Sequence, residues 1–350
     1  MKSINRTKQN VKAKSTKEKY DNFWRNFYKF CLCICVIGLF FLVRDVNKFR
    51  NKLSSLNPNY KLPTITDLKP CMFLIPLIIF IRVISKKFLI SFCIKIMKKS
   101  YRLGKTNKDK QLFEKYKLKL PEHVMKFTFY LTMTIFGYFT LKDLDYFPKS
   151  LLGNGWMPNM FMKGYPNCFY LIKPKYFDFY YMFCLSYFSS DLIWLLFIND
   201  KQTDFIDMLL HHACTIPLII FSYFTNYSNV GCIVLFLHIE TDIFVHLTRF
   251  LLQTDVYEIF KNISGILLTF NFLYMRLYVL GDMIYTLYFY MNWKWSTVTF
   301  YLFTFLTILY AMHINWTILL LQKFYALIKG TKLSDTRSYE VKDENIAKLK

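Results

Sequence analysis

Long apolar runs alternate along this chain with short clusters rich in lysine, asparagine and proline. About twenty apolar residues in a helix cross the hydrocarbon core of a bilayer. By that measure eight segments predict membrane spans: roughly 24–43, 68–84, 123–141, 177–198, 208–225, 230–252, 263–280 and 298–322. The second is short and interrupted by Pro76, and 283–291 reads equally as span or loop. Lipid offers the backbone no hydrogen-bond partner, so such spans are helices. The fold class is therefore all-α polytopic membrane protein, with about eight transmembrane helices. No internal repeat and no low-complexity linker marks off a soluble domain.

Composition agrees, since 54% hydrophobic and 20% aromatic residues over 350 positions exceed what a soluble core uses. The formal charge of +23 raises the question of nucleic acid. However, the lysines and arginines crowd between the apolar runs, where basic residues hold loops at an anionic cytoplasmic leaflet. That distribution argues for topology and against a nucleic-acid partner. The most basic stretch, "KKFLISFCIKIMKKSYRLGKTNKDKQLFEKYKLK", and the basic tail at 1–23 are expected in the cytoplasm. An even span count returns the tail at 330–350 to the same side. The basic start precedes "FCLCICVIGLFFLV" without a small-x-small cleavage site, as in a retained first span. The loop before span four is rich in Gly, Pro and aromatics, as an interfacial segment would be. Cys31, Cys33 and Cys35 advance by about 200° per step around a helix, so neither zinc site nor disulfide framework follows. The sequons at Asn226, Asn262 and Asn315 abut or lie within spans, where glycosylation is not expected.

Two consecutive spans carry ionisable residues in register. On a helix, Asp204, Asp207, His211, Thr215, Pro217/Leu218 and Ser222 form one stripe, while His212 points about 100° away. A carboxylate four residues before a histidine, as Asp207 precedes His211, can hold the far imidazole nitrogen and raise its basicity. The next span repeats the device with His238, Asp242, His246 and Arg249. Antiparallel packing brings the stripes face to face, with Thr215 and Asp242 about 10 to 13 Å from the cytoplasmic ends. The expected site is an interior cavity opening to the cytosol. Polar side chains also glue helices together. Yet each ionisable group at mid-membrane costs at least about 2.5 kcal/mol on insertion scales, so several on two faces favour a functional cavity. His211, His212, His238, His246 and Asp242 have the chemistry to ligate iron or zinc. The chain nevertheless has only six histidines and no HxxHH box, and His123 and His313 lie on other segments. A metal is not expected.

At these residues the chain resembles the ceramide synthases, in the longevity-assurance motif of their TLC domain. The match is carried by Asp204-Phe205, Asp207-Met208, His211-His212, Thr215, Ser222-Tyr223, Asn226, Gly231 and "HIETD" at His238 to Asp242, with Thr241 for the family serine. It extends over a region read as 118–329, with "GWMPN", "FYYMFCLSYF" and "FNFLYMRLYVLGDM", where Arg276 matches an expected arginine. Residues 24–117 hold the preceding spans and the basic loop. The resemblance implies a bundle of six helices at the endoplasmic reticulum that N-acylates a sphingoid long-chain base with a fatty acyl-CoA. No cofactor beyond that co-substrate is implied; membrane lipids are further partners, and a homo- or heterodimer is compatible with the family.

In the resemblance the histidine pair does the chemistry, as general base or as acyl-accepting nucleophile, with helical geometry favouring His211, backed by Asp207 and supported by His212. Asp242 completes the catalytic set. Asp204, Thr215, Ser222, Tyr223, Asn226, His238, Thr241, Arg249 and Arg276 are the substrate-binding candidates. Lys86, Lys87, Lys98, Lys99 and Arg102 can supply countercharge to the coenzyme. One position departs: the family's first motif aspartate is Ile239 here, and Glu240, about 100° around the helix, cannot replace it. A non-catalytic TLC protein that binds lipid or assists membrane-protein insertion is therefore the competing reading. Asp191 and Arg276, each costly alone in a span, are expected to pair, or Asp191 to line the cavity. Acyl-chain length is assigned to loops near 281–297.

Overall fold

The computed structural model describes residues 2–170, 172–198, 204–290, 296–331 and 333, with side chains from residue 18 onward. Among the described residues there are eight long helices: α1 (Lys2–Leu56), α2 (Lys69–Ile96), α3 (Asn107–Leu141), α4 (Phe177–Ile193, extended by a π-helical turn Trp194–Ile198), α5 (Phe205–Phe224), α6 (Ser228–Gln253), α7 (Glu258–Tyr290) and α8 (Thr297–Ile328). Among the described residues there are only isolated β-bridges and no strand. Helices α3 to α8 form the bundle. Helix α1 lies against α5 and α8, and α2 against α3 and α4.

All but α2 are long and apolar enough to cross a bilayer. Helix α2, which contains the predicted span 68–84, has 28 residues, or about 42 Å of rise. Its apolar run is broken by Pro76, Arg82, Lys86 and Lys87. The segment 263–280 and residues 283–290 of the ambiguous stretch belong to one rod, α7, which passes through a π-helical turn at Leu273–Val279. Consequently 281–290 is helix and not a chain-length loop, and 291–295 lie outside the described residues. Most of the tail at 330–350 also lies outside them.

Local chemistry fixes the ends. Thr106 caps α3 by accepting from the amide of Asp109 at 3.0 Å, and the Asp109 carboxylate accepts from the amide of Thr106 at 3.2 Å. Ser296 caps α8 through the amide of Thr299 at 3.1 Å. On the outer helices large apolar side chains are exposed, among them Val36, Phe40, Phe73 and Phe88. On helices of bilayer length such a surface is the lipid face. This is a multi-pass membrane protein. Asn315, one of the three sequons, is buried and bridges Tyr20 and Tyr28 of α1.

Candidate active site

Helices α5 and α6 run antiparallel through a tight corner, and that corner decides which residues meet. Asn226 occupies the left-handed region (φ 58°), which Asn tolerates better than most residues. Its buried amide donates to the carbonyl of Phe169 and to the Tyr60 hydroxyl. Nearby, the hydroxyls of Ser222 and Tyr181 are 2.6 Å apart, and the rings of Tyr223 and Tyr181 are tilted against each other at 5.6 Å. These three motif residues build the corner. His211 precedes Ser222 by eleven residues on α5, about 16 Å away by helical rise.

At the other end of that distance the histidines gather. The His211 ring centroid is 5.4 Å from His212, 6.2 Å from His238 and 5.9 Å from Trp316. His238 is 5.0 Å from His313. Both Nδ1 atoms of the His211–His212 pair are buried without a hydrogen-bond partner among the described residues. The unpartnered Nδ1 of His211 is therefore not the nitrogen that a carboxylate holds. Thr215 bonds back to the carbonyl of His211 at 2.9 Å. His238 has its Nδ1 2.6 Å from the carbonyl of Val234, which makes Nδ1 the protonated nitrogen and leaves Nε2 without a partner.

Arg276 ties the third side together. Its guanidinium donates to Asp242 Oδ1 at 2.8 Å, to the carbonyl of His238 at 3.0 Å and to His313 Nε2 at 3.0 Å. The π-helical turn that carries Arg276 is a form common at functional sites. Asp242 therefore joins the histidine cluster through Arg276. The anticipated Asp191–Arg276 pair is not formed: Asp191 is bound by Arg82 at 2.7 Å and Lys126 at 2.8 Å. Position 191 lies on α4, where cations of α2 and α3 are nearer than one on α7. Ile239 is fully buried, and Glu240 accepts from Asn271 at 2.8 Å. Thr241 bonds back to the carbonyl of Leu237 at 2.8 Å.

His246 is separate from this cluster. Its Nδ1 is 3.1 Å from Nδ1 of His123, and Tyr130 stacks on its ring. Arg249, one turn beyond, is only partly buried, as is Asp204 at the start of α5. Of the basic patch offered for the coenzyme, Lys86 is taken up by Glu122 at 2.8 Å, and Arg102 is 3.9 Å from Asp255. Sequence reading set His313 and His123 aside and overlooked Trp316, Lys126 and Arg82. The signal existed: His313, Trp316 and Thr317 share one face of an apolar span, and Arg82 interrupts another.

Beside the cluster lies an apolar cavity walled by α4 to α8. His238 and Thr215 line one end and Tyr227 the other, roughly 16 Å apart by rise along α6. Leu218, Val234 and Leu306 form its sides. Gly231 is what lets α6 approach this wall, because a Cβ there would collide with the Tyr181 hydroxyl and with Ser222 Oγ. Gly231→Ala is expected to break the Tyr181–Ser222 bond and lower stability by about 1 to 3 kcal/mol. A thermal melt of the purified protein in detergent, unchanged from wild type, would contradict this.

The model of the TLC domain family matches residues 119–322, more than half of the chain. The chain belongs to the TLC-domain family. Among characterised TLC proteins it is similar to ceramide synthase 4 of Bos taurus, 31% identical over 224 residues, 63% of this chain and 54% of the relative. Human ceramide synthase 1 is 31% identical over 181 residues, 51% of this chain and 45% of the relative. The Arabidopsis thaliana ceramide synthase 1 LOH3 is 28% identical over 180 residues, 45% and 55% of the two chains. The chain spans about half the length of the curated relatives it matches. Within the TLC match lie α4 to α7 and most of α3 and α8; α1 and α2 precede it.

Proposed function

We propose that this protein is a ceramide synthase of the endoplasmic reticulum membrane, with both termini in the cytosol, joining a fatty acyl group from acyl-CoA to the amine of a sphingoid base. The observation that carries the reading is a buried histidine cluster at the end of an apolar cavity in a TLC bundle. An apolar channel suits an alkyl chain, and a histidine at its end meets the carbonyl carbon. In the nucleophilic route, a neutral imidazole nitrogen of His211 attacks the thioester, the C–S bond breaks and coenzyme A leaves as its thiolate. The amine then attacks the acyl-imidazole, the amide forms, and the amine's proton passes to the freed imidazole. In the general-base route, His211 takes the amine's proton as the amine attacks the thioester directly. Either route draws on the thioester alone and needs no cofactor.

Membranes from a host stripped of its own ceramide synthases are expected to form N-acylated sphingoid base once this protein is expressed, with a preferred chain length in an acyl-CoA panel. No product at any chain length would defeat the proposal. Ile239, buried where the family carries an acid, favours a second reading, a non-catalytic lipid-binding or insertion factor. That reading predicts lipid co-purifying without turnover.

A further inference from the structure

A carboxylate from outside the motif stands within 4.0 Å of the histidine pair. Asp191 Oδ2 on α4 lies 3.8 Å from His212 Nε2. Its two oxygens are held separately, Oδ1 by Arg82 Nη2 at 2.7 Å and Oδ2 by Lys126 Nζ at 2.8 Å. Asp191 and His212 are 7% and 2% exposed, and His212 Nδ1 is without a partner. Of the acids in the "HIETD" segment, Asp242 is engaged by Arg276 and Glu240 by Asn271.

We propose that Asp191, anchored by Arg82 and Lys126, is the positioning residue for His212, supplying from α4 a carboxylate in a chain whose motif carries Ile239. The inference deepens the acyltransferase reading and rests on it. A carboxylate facing Nε2 selects the tautomer protonated there and leaves the Nδ1 lone pair as the reactive one. At 3.8 Å the pair is longer than a hydrogen bond. Catalytic hydrogen bonds are often long before substrate arrives and tighten in the complex, and a small turn of the imidazole closes this one. The two cations stop the carboxylate from swinging away. Placing three ionised groups inside a bundle is expensive, and apolar residues of similar volume commonly serve stability as well, which favours a role beyond packing. Arg82 belongs to α2, ahead of the matched residues 119–322. Helix α2 thus contributes to the site.

The test uses the full chain in detergent and the variants Asp191→Asn, Asp191→Glu and Asp191→Asn/Lys126→Met. The last keeps the formal charge of the cluster and guards against unfolding caused by stranded cations, with thermal melts as the check. Two readouts are taken: steady-state acyl transfer, and the rate at which diethyl pyrocarbonate modifies His212 relative to His211, located by mass spectrometry. Asp191→Asn and the charge-matched variant are expected to lower kcat at least about tenfold with little change in KM for acyl-CoA, and to slow modification of His212 several-fold. Asp191→Glu is expected to recover much of both. Folded variants that keep wild-type kcat and His212 reactivity would overturn the proposal. If wild type forms no N-acyl product, the functional reading fails by itself, and the His212 rates still decide whether Asp191 positions that ring.

Discussion

Replacing His211 with alanine is expected to lower formation of N-acylated sphingoid base by at least about 10³-fold, because either route loses the group that bonds the acyl carbon or takes the proton. Folding should survive the change. His211 Nδ1 has no hydrogen-bond partner to strand, and the side chain's other contacts are ring packing against Trp316, His212 and His238. The measurement is product formation at saturating acyl-CoA, alongside a thermal melt showing the variant folded. A folded variant with near-wild-type turnover would remove His211 from the chemistry and move attention to His212 or His238. His238 is the histidine that lines the apolar cavity directly.

The second large effect concerns stability. Arg276→Met removes the donor to Asp242, to His313 and to the carbonyl of His238 in one change. Breaking a buried ion pair by deleting one partner typically destabilises by about 3 to 5 kcal/mol, since the remaining charge is left uncompensated. The Asp242 side chain keeps 21% of its surface open, which puts the expectation near the lower figure of about 3 kcal/mol. Arg276→Met/Asp242→Asn should be milder than Arg276→Met alone, because the stranded carboxylate is gone. Thermal unfolding in detergent of wild type, both single variants and the double variant completes the cycle. Strictly additive losses would mean that the pair is not coupled.

Much of the site is legible along the chain because helical periodicity turns spacing into direction. His238 and Asp242, four apart, share a face of α6, and the motif spacing identifies α5 and α6 as the helices that carry the histidines. The corner formed by Ser222, Tyr223 and Asn226 shows the limit of that logic. These residues fit the motif as well as His211 does, yet a helix of 20 residues separates its two ends by about 30 Å. A motif that covers the whole helix therefore mixes reactive and architectural positions.

By itself, the sequence determined that the chain is a bundle of membrane-crossing helices with ionisable side chains turned inward, because bilayer thickness and the cost of exposing charge to lipid act on each segment separately. Which ionic groups meet was decided only by the tertiary structure. Asp191 finds Arg82 and Lys126 instead of Arg276, and His313 enters the cluster from the last helix, because such contacts depend on which helices are neighbours and on their rotation. No segment carries that information alone, since it arises when α2, α3, α4 and α8 pack around the antiparallel pair.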